Sequence, residues 1–594
     1  MSSKIPNSSL VTTMSSPTGA GSLDIPDNLT IPQFFNASHV SRPSFSNDSP
    51  CFIEEHTGKT LSFAELRSQS LKLANAIHLK WNTGERDVVA LIGPNHVDSI
   101  VVTWAVLRLG GIIFSADPAF STIPELVENL RDTDTDLIVV HPDFLDRIAS
   151  VAEAAGIPPH RILLLDNPKS SSGGISYPVL RDFVSDFKDS HEHFTERRLT
   201  GGSAISKPAF YVISHGLSGM PKILSVSHHS IIANIIQKST HFNESPSGIF
   251  SPGQVSLGVL PVAYLYGLSN ILFAMYHGVT TVIVQKFDFR SLFQTIVKYQ
   301  ITHLFLVPSQ VVLVCKNPLA KKYDMRHVKY CLLGAQVFPL ELVGDLARVF
   351  PNCTLGQAYG LSEMSTAVAI TPASQQGMPK SASVGRFLPG IDYRIVATDG
   401  KPTKPGEAGE LWVSGPSRAI GYLDDKQATR KVFLENGWVR TGDKVTVSED
   451  GDLFLVARQK SVFKVRGFQV SGDELESLIR NHPDVDEVCV LGVPDPYSGE
   501  VPVALVVLAD EAKERAARDD NERKNITISI LKAGPATIRE LITWKANFFG
   551  LALLFLLSLA RSRQQAKLQV DRWRRPHRKI VPHHRRWKNR PRVT

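Results

Sequence analysis

Length, composition and charge narrow the classes of protein to consider. The chain has 594 residues, which is too long for one compact core and leaves room for a large domain and a smaller one. Its 43% hydrophobic content is typical of a globular chain. The net charge of +8 is misleading, because residues 561–594 hold thirteen Lys and Arg against one Asp and the rest carries four net negative charges. A mildly acidic body argues against a partner that is a nucleic acid.

The cysteines point to a compartment. Cys51, Cys315, Cys331, Cys353 and Cys489 are too sparse for a disulfide framework and lack metal-ligand spacing. They indicate a reduced intracellular protein, and we expect a cytoplasmic location. The chain ends in Arg-Val-Thr, which is not an SKL-type peroxisomal address.

Two segments depart from the globular pattern. Residues 1–22 are rich in Ser, Thr, Gly and Pro and lack an apolar core of signal-peptide length, so we expect disorder over 1–25. Residues 548–560 form an apolar run, shorter than the roughly 20 residues that span a membrane. With the basic tail behind it, this run fits an interfacial membrane anchor. A buried helix and a non-native tail fit it equally well.

The predicted elements begin as an alternation of strands and helices. Short apolar runs predict buried strands, and apolar residues at helical spacing predict helices between them. Such alternation is typical of parallel sheets with helices on their faces. The predicted strands are 87–93, 111–118, 136–142, 279–285, 302–308 and 328–334, and the predicted helices are 96–110, 124–132 and 290–299.

Beyond about residue 405 the pattern changes to short runs punctuated by glycine, which predict antiparallel hairpins. After them, a helix capped by Ser471 or Asp473 and a strand at 488–493 predict a small α+β unit, with its boundary near 456–460. The hairpin runs are 406–415, 437–447 and 451–458.

A first candidate site lies in YVISHGLSGMPK, residues 211–222. Gly216 and Gly219 let backbone N–H groups approach phosphate oxygens, and hydroxyls and Lys222 add donors and charge. The lysine falls three residues after the second glycine and no Ser or Thr follows it, so this is not the GxxxxGK[ST] loop. A purely structural glycine turn is the alternative.

A second candidate is GQAYGLSEMS, residues 356–365. Glu363 is a candidate Mg²⁺ ligand, because hard cations prefer carboxylate oxygen, and Ser362 is a candidate phosphate donor. Tyr359 can stack on a base or fill the core. A solvated glutamate at a turn is the alternative.

A third candidate is GWVRTGD, residues 437–443, together with residues 449–476. An aspartate at a tight turn, Asp443, can accept both hydroxyls of a ribose, and Arg458 can support it. Basic residues follow at close spacing. A surface hairpin with a solvated basic face is the alternative.

In their order and spacing, these segments resemble the adenylate-forming, AMP-binding superfamily of acyl-CoA synthetases, peptide synthetase adenylation domains and luciferases. The chain is most similar to the 4-coumarate–CoA ligase branch. The resemblance covers roughly residues 30–508. Further segments that support it are 93–118, 260–268, 384–390 and 409–423.

The resemblance implies an α/β fold. A large N-terminal AMP-binding domain over 26–457 has parallel-rich sheets and a distorted β-barrel. A small mobile α+β C-terminal domain begins over 458–510, with its hinge at Lys460. Residues 511–594 form a divergent or non-native tail with a short apolar run and a basic end.

The resemblance also assigns the nucleotide contacts. Leu217 stands where the family has a second hydroxyl residue, and the lost hydrogen bond is worth roughly 1.5–3 kcal/mol. Ala358 replaces a common glycine, and Ser362 replaces a threonine. The implied ATP and AMP contacts are Ser214, His215, Gly216, Leu217, Ser218, Lys222, Gln357, Ala358, Tyr359, Ser362, Asp443, Arg458, Lys460, Lys464 and Gln469.

The remaining assignments concern catalysis and the other substrates. Glu363 is the implied Mg²⁺ ligand, and Lys222 and Lys460 join it as implied catalytic residues. The implied CoA contacts are Lys286, Arg466 and Gly467. Near the acyl pocket fall Tyr264, in place of a frequent histidine, Tyr266, Lys316 and Ala335.

The implied function is that of an ATP-dependent acyl-CoA ligase. An aromatic or medium-chain carboxylic acid reacts with Mg-ATP to give an acyl-adenylate, and CoA then gives the thioester, in the setting of secondary metabolism. The protein positions the reactants and stabilises charge. Rotation of the small domain about Lys460 separates the two steps.

One expected segment is missing. The family's small domain ends in a PKxxxGK-type stretch, whose lysine contacts the carboxylate and the α-phosphate, and residues 509–594 contain none. Either the C-terminus is non-native, or the tail diverged to another role. The main rival is therefore an adenylate-binding protein with an impaired first half-reaction. A carrier-loading adenylation domain and a luciferase-like oxygenase are further alternatives.

Overall fold

The computed structural model describes most of the chain up to Ala533. The predictions for the N-terminal segment, the apolar run at 548–560 and the basic tail lie largely or wholly outside the described residues. The described residues are 14–15, 23–118, 121–168, 176–187, 190, 192–214, 221–243, 248–288, 290–335, 338, 340–372, 383–404, 406–458, 462–465, 468–495 and 499–533.

The strands are, in chain order, β1 (Met14–Ser15), β2 (Pro50–Glu54), β3 (Thr60–Ser62), β4 (Val88–Ile92), β5 (Ile112–Ala116), β6 (Thr135–Val140), β7 (Ile162–Leu164), β8 (Pro208–Ser214), β9 (Lys222–Ser227), β10 (Val255–Gly258), β11 (Thr280–Ile283), β12 (His303–Leu306), β13 (Tyr330–Leu333), β14 (Thr354–Leu361), β15 (Thr366–Ile370), β16 (Arg386–Phe387), β17 (Asp392–Val396), β18 (Gly409–Ser414), β19 (Gly421–Tyr422), β20 (Val439–Val447), β21 (Leu453–Arg458), β22 (Val462–Val465), β23 (Phe468–Ser471), β24 (Val485–Asp495) and β25 (Gly499–Leu508).

The α-helices are α1 (Ile31–Asn36), α2 (Phe63–Trp81), α3 (Val97–Leu109), α4 (Ile123–Asp132), α5 (Leu145–Ala155), α6 (Leu180–Asp186), α7 (His228–Asn243), α8 (Leu265–Tyr276), α9 (Leu292–Lys298), α10 (Pro308–Lys316), α11 (Leu340–Val349), α12 (Lys426–Val432), α13 (Gly472–Arg480), α14 (Asp510–Arg518) and α15 (Asp520–Ala533). Short 3₁₀ turns cover Pro142–Phe144, Pro159–Arg161, Ser203–Ile205, Pro318–Lys322 and Ser362–Met364.

A seven-stranded sheet has the order β19-β9-β8-β5-β4-β6-β7. Its strands β4 to β8 pair in parallel, as the alternation in the sequence predicts, and β9 returns antiparallel beside β8. Helix α3 buries all its residues and ends at Gly110, whose φ of +83° suits a residue without a side chain.

A nine-stranded sheet has the order β16-β15-β14-β13-β12-β10-β11-β2-β3. The neighbouring strands β14, β13, β12, β10, β11 and β2 pair in parallel, and β15 pairs antiparallel with β14. Parallel strands point the same way, so their carboxyl ends share one edge, a common place for ligands in open α/β sheets. The strands predicted at 279–285, 302–308 and 328–334 are confirmed as β11, β12 and β13.

The hairpins predicted after residue 405 are confirmed. Strands β17, β18, β20 and β21 pair antiparallel in a five-stranded sheet that also includes β1. The distorted β-barrel stays a prediction.

The chain divides into two compact units, one of Met1–Glu474 with Gly492–Val501 and one of Leu475–Leu491 with Pro502–Thr594. Within the smaller unit, the Ala509 N–H donates to Asp484 O over 3.0 Å, and His482 Nε2 lies 2.9 Å from Ser529 Oγ. The predicted α/β class, with a large domain rich in parallel strands and a smaller C-terminal domain, is confirmed. The residue boundaries given from sequence stay predictions. Within the described ranges, no helix is long and apolar enough to cross a bilayer.

Candidate active site

Glu363 lies on a tight hairpin at the edge of the nine-stranded sheet. Strand β14 runs into the 3₁₀ turn Ser362–Met364 and returns as β15. The hairpin closes tightly, because a Cβ at Gly360 would lie only 2.0 Å from Thr366 O. The Glu363 side chain is therefore held inside the protein, at 6% exposure.

Two hydroxyl groups hold the Glu363 carboxylate. Ser214 Oγ donates to Oε1 over 2.9 Å, and Tyr422 Oη donates to the same oxygen over 2.7 Å. Burial and the nearby Glu363 charge raise the pKa of Tyr422 far above its usual range, so its hydroxyl stays a donor. Both bonds end on Oε1, and Oε2 makes no hydrogen bond within the described part of the chain.

This arrangement fits a ligand for a hard cation. Neutral donors on one oxygen leave the negative charge of the carboxylate uncompensated, and Oε2 keeps its capacity to bind. Among the described residues, no group of three or more His, Cys, Asp and Glu is arranged as a metal site. Mg²⁺ commonly uses one or two carboxylates together with substrate phosphates, so a single glutamate suffices.

Ser214 and Lys222 flank the glycine-rich loop. Ser214 ends β8, Lys222 begins β9, and the two residues are partners in the antiparallel register. Lys222 Nζ lies 2.9 Å from Asp425 Oδ2, with 21% of the lysine side chain exposed. Its ammonium group is therefore accessible to a phosphate entering from solvent.

Asp425 has a second task besides its ion pair. Its Oδ1 accepts from the Ala428 N–H over 2.8 Å and caps α12. This cap bond and then Lys222 hold the pKa of Asp425 below its usual value. The lysine is thus positioned by a carboxylate that is itself fixed at a helix terminus.

Tyr359 and Asp443 come together from different sheets. Tyr359 Oη donates to Asp443 Oδ2 over 2.8 Å, and both side chains are at most 5% exposed. The Asp443 N–H donates to Thr441 Oγ1 over 3.1 Å. Arg458 is the register partner of Asp443 on β21, so the predicted pair lies on neighbouring strands. The tyrosine ring and the carboxylate therefore lie next to each other, and their assignment to a base and its ribose stays a prediction.

Gln357 is completely buried beside them. Its Oε1 accepts from the Phe338 N–H over 3.0 Å, while its Nε2 has no partner in the described part of the structure. Buried polar atoms are nearly always paired, so an unpaired donor points to a ligand acceptor. Ala358 follows it half-buried, and Ser362 is half-buried at the start of the turn.

The residues assigned to the acyl pocket separate into two groups. Tyr266 Oη fills the space beside Gly334, where an added Cβ would lie 2.3 Å away, so Tyr266 adjoins Ala335. Burial raises the pKa values of Tyr264, which directly precedes α8, and of Tyr266. Lys316 lies exposed in the last turn of α10.

The remaining predicted residues are only partly described. Lys286, assigned to CoA, is exposed after β11. Lys464 and Gln469 are register partners in the hairpin β22–β23, and nothing beyond their backbone is described. The residues outside the described ranges are His215, Gly216, Leu217, Ser218, Lys460, Arg466 and Gly467. All these assignments stay predictions.

Two functional candidates escaped the sequence reasoning: Tyr422 and Asp425. Asp425 carried a signal, because an aspartate directly before a helix is a common cap. The sequence around Tyr422 carried no signal that identifies its hydrogen-bond partner, because Glu363 lies 59 residues away. The segment 409–423 supported the resemblance without identifying this contact.

Comparisons with known proteins show the family to which the chain belongs. The family model of the AMP-binding enzymes matches residues 41–423, and that of the AMP-binding enzyme C-terminal domain matches residues 474–529. An acyl-CoA ligase of Alternaria alternata, AFT1-1, is 33% identical over 501 residues, covering 82% of this chain and 85% of that protein. The 4-coumarate–CoA ligase 3 of Arabidopsis thaliana is 28% identical over 489 residues, covering 82% and 83%.

Solved structures share the fold. The amide bond synthetase McbA of Marinactinospora thermotolerans has a TM-score of 0.66 at 23% identity, covering 81% of this chain and 90% of that one. A long-chain-fatty-acid–CoA ligase of Archaeoglobus fulgidus has a TM-score of 0.65 at 21% identity, covering 88% and 97%. The chain belongs to the family of AMP-binding enzymes. It is an AMP-forming ligase of the acyl-CoA ligase type, whose family uses ATP and CoA.

Proposed function

We propose that this ligase converts a compact carboxylic acid, aromatic or medium-chain, into its CoA thioester with Mg-ATP. The observation that carries the proposal is the Glu363 carboxylate, bound on Oε1 by Ser214 and Tyr422 with Oε2 left for a cation. The nearby pair of Tyr359 and Asp443 supports a nucleotide as the ligand.

The residues divide the work as follows. Ser214 and Lys222 bind the phosphates, Asp443 accepts the ribose hydroxyls, and Gln357 Nε2 donates to the base. Glu363 holds Mg²⁺, which when bound supplies positive charge to the polyphosphate. A carboxylate oxygen of the acid attacks the α-phosphorus in line and pyrophosphate leaves; the CoA thiol then displaces AMP from the acyl-adenylate. Catalysis comes from positioning and charge stabilisation.

The surroundings of Tyr266 support a compact acid. Its ring fills the space beside Gly334. A small cavity next to α8 has Gly258, Gly267 and Phe305 among its lining residues. A long acyl chain would need this region to be open, so a compact acid is favoured. The fungal relatives named acyl-CoA ligases support a role in secondary metabolism.

A second candidate, an adenylate-binding protein that performs the first half-reaction poorly, has its own support. Residues 509–594 contain no PKxxxGK-type stretch, and the C-terminal family match ends at residue 529. Without that lysine, acid and ATP react slowly, while a preformed acyl-adenylate still reacts with CoA.

We also propose a cytoplasmic protein, on the grounds of its few free cysteines, and one that does not bind nucleic acid, on the grounds of its mildly acidic body. Membrane association through residues 548–560 and the basic tail is tested by carbonate extraction of the full chain and of a chain truncated before residue 545. Recovery of both the full and the truncated chain in the soluble fraction would argue against a membrane anchor.

A screen of CoA esters by mass spectrometry tests the function. The full chain is incubated with ATP, Mg²⁺, CoA and a panel of aryl, medium-chain and long-chain acids, and in parallel with synthetic acyl-AMP and CoA. We expect thioesters of aryl or medium-chain acids. Thioesters from the mixture of acyl-AMP and CoA, with none from the mixture of acid, ATP, Mg²⁺ and CoA, would favour the second candidate. No thioester from either mixture would overturn both candidate functions.

A further inference from the structure

The turn that carries Glu363 has an unusual backbone. Ser365 and Thr366, two and three residues after it, have φ values of +51° and +107°. Positive φ is disfavoured for residues with a Cβ, and for a β-branched residue it is a marked outlier that costs of order 1–3 kcal/mol. Such a conformation persists only where the surroundings hold it, so the contacts of Thr366 are of interest.

Side chains of the two buried helices α7 and α8 form hydrogen bonds with this turn. Thr366 Oγ1 lies 3.0 Å from Asn234 Oδ1 on α7 and 3.0 Å from Ser269 Oγ on α8. Asn234 Nδ2 also donates to Ala367 O over 2.8 Å. Both the side chain of Thr366 and the backbone of the next residue are therefore tied to the helices.

Lys238 completes the group. It lies one turn after Asn234 on α7 and is 2% exposed. Its Nζ donates to Ser269 Oγ over 2.8 Å and to Ser269 O over 3.2 Å, and it lies 4.8 Å from the centre of the Phe273 ring. We call Asn234, Lys238 and Ser269 the Lys238 cluster.

The buried position of Lys238 is energetically unfavourable. Within the described part of the chain it has no ion-pair partner, and burial lowers its pKa to about 7. A buried cation without a counter-charge destabilises a fold, and an apolar residue of the same size would avoid that cost. Among the described residues, the side-chain hydrogen bonds of the Lys238 cluster go to the strained turn and within its own two helices.

We infer that the Lys238 cluster is a positioning device that holds Thr366 in its strained conformation and thereby fixes Glu363 toward Mg-ATP. Lys238 orients Ser269, and Ser269 and Asn234 hold the threonine hydroxyl from two sides. In this role the three residues act through Thr366 and not on a substrate. The inference rests on the proposed role of Glu363 in binding the metal.

The first test compares Lys238→Met with a control on the same helix. Methionine keeps the length of the side chain and removes its donors. Ser239→Ala removes an equally buried hydroxyl that donates to Ile235 O over 2.8 Å and lies 2.9 Å from His277 Nε2, and neither partner belongs to the turn. We expect Lys238→Met to raise the KM for Mg-ATP about tenfold, the effect of one lost hydrogen bond of roughly 1.4 kcal/mol, with the KM for the acid within twofold. Ser239→Ala should leave both within twofold.

A rescue variant separates positioning from general destabilisation. Glycine adopts a φ of +51° without strain, and Ser365 Oγ is buried with no hydrogen-bond partner among the described residues, so Ser365→Gly loses no bond. We expect Ser365→Gly to restore the KM for Mg-ATP in Lys238→Met. If Lys238→Met does not fold, Thr366→Val replaces it, because valine keeps the shape and removes the hydroxyl.

Hydrogen exchange gives a readout that does not depend on activity. Amides of residues 360–372 should exchange at least tenfold faster in Lys238→Met than in the wild type or Ser239→Ala. Unchanged exchange there, or equal rises in KM for Mg-ATP and for the acid, would overturn the inference. An inactive wild type whose amides still respond would overturn the proposed function, and with it the link to Mg-ATP, and would leave only the holding of the turn by the Lys238 cluster.

Discussion

Tyr422 donates a hydrogen bond of 2.7 Å to Glu363, which lies 59 residues earlier in the chain. Ser214 donates to the same oxygen, and the strands of Ser214 and Tyr422 lie in the seven-stranded sheet whereas Glu363 lies on a hairpin of the nine-stranded sheet. Three distant segments therefore converge on one carboxylate. This convergence orients Oε2, and it makes the loss of either hydroxyl a direct test of the site.

Tyr422→Phe should weaken both the fold and metal binding. A hydrogen bond to a charged group contributes about 1.5–3 kcal/mol, so we expect a loss of that size in the free energy of unfolding. The KM for Mg-ATP should rise severalfold, because the carboxylate is less well oriented. Denaturant unfolding and initial rates measure the two effects.

Tyr299→Phe is the matched control for that variant. Tyr299 Oη donates to Glu55 O over 2.6 Å, away from the site. We expect the Tyr299→Phe variant to lose stability and to keep the wild-type KM for Mg-ATP. Equal changes in KM in the two variants would contradict an orienting role for Tyr422.

Lys222→Met should raise the KM for ATP at least tenfold, because a charge-assisted contact to phosphate is lost. Asp425→Asn should keep the cap of α12, since asparagine also caps helices, and leave the KM for ATP unchanged or lower, since the lysine is released from its ion pair. Steady-state kinetics at fixed Mg²⁺ measures both. A rise in KM in Asp425→Asn as large as in Lys222→Met would contradict the view that the lysine serves the phosphate.

The helix cap of Asp425 and then its ion pair with Lys222 predict a weak acid dependence. The folded-state pKa of Asp425 is depressed, so its contribution to stability is full above the unfolded value and is lost as the pH falls through the folded pKa. Because both groups are partly exposed, we expect no more than about 1 kcal/mol. Unfolding of the wild type and Asp425→Asn from pH 6 to pH 3 should converge at the acid end.

Asp443→Ala should lose discrimination between nucleotides. If Asp443 accepts ribose hydroxyls, the wild type should prefer ATP over 2′-deoxy-ATP or 3′-deoxy-ATP by about tenfold, the value of one hydrogen bond near 1.4 kcal/mol. The variant should bind ATP more weakly and show little preference. A preference of unchanged size in Asp443→Ala would place the ribose elsewhere.

His228 predicts a loss of stability in mild acid. The side chain is 2% exposed, its Nδ1 accepts from the Ile31 N–H over 3.2 Å, and burial lowers its pKa to about 3. The folded state then binds fewer protons than the unfolded state, whose histidine titrates near 6.5. Stability is full above about pH 6.5 and falls below it by up to about 1.4 kcal/mol per pH unit for this group.

His228→Asn should reduce that slope between pH 6.5 and 5, because asparagine keeps an acceptor and does not titrate. His56→Asn is the control, since His56 is 54% exposed. Denaturant unfolding across this range measures the slopes. An equal slope in His228→Asn and the wild type would contradict the prediction.

The sequence predicted the sheets well, and for a physical reason. Continuous apolar runs such as Val88–Ile92 are buried on both faces, and only a parallel sheet covered by helices accommodates them. The glycine at the end of α3 and the hairpins after residue 405 likewise carry local signals. Local pattern was sufficient wherever the structure is decided by neighbours in the chain.

The contacts of the site were not accessible in the same way. Motif order indicated that Glu363 and Asp443 matter, yet not that Tyr422 holds the first or Tyr359 the second. Such partners are set by the packing of separate sheets. The strained Thr366 and its buried Lys238 have no sequence signal, since a lysine amid apolar helix residues reads as a solvated position.

Acid-dependent exchange between ATP and labelled pyrophosphate tests the central claim most directly. It should be measured with the wild type, Glu363→Gln and Glu410→Gln, whose wild-type glutamate pairs with Arg440 outside the site. The account predicts exchange in the wild type and Glu410→Gln, and at least a hundredfold less in Glu363→Gln at unchanged fold, the scale of one catalytic electrostatic contact. Exchange in Glu363→Gln at the wild-type rate would contradict it.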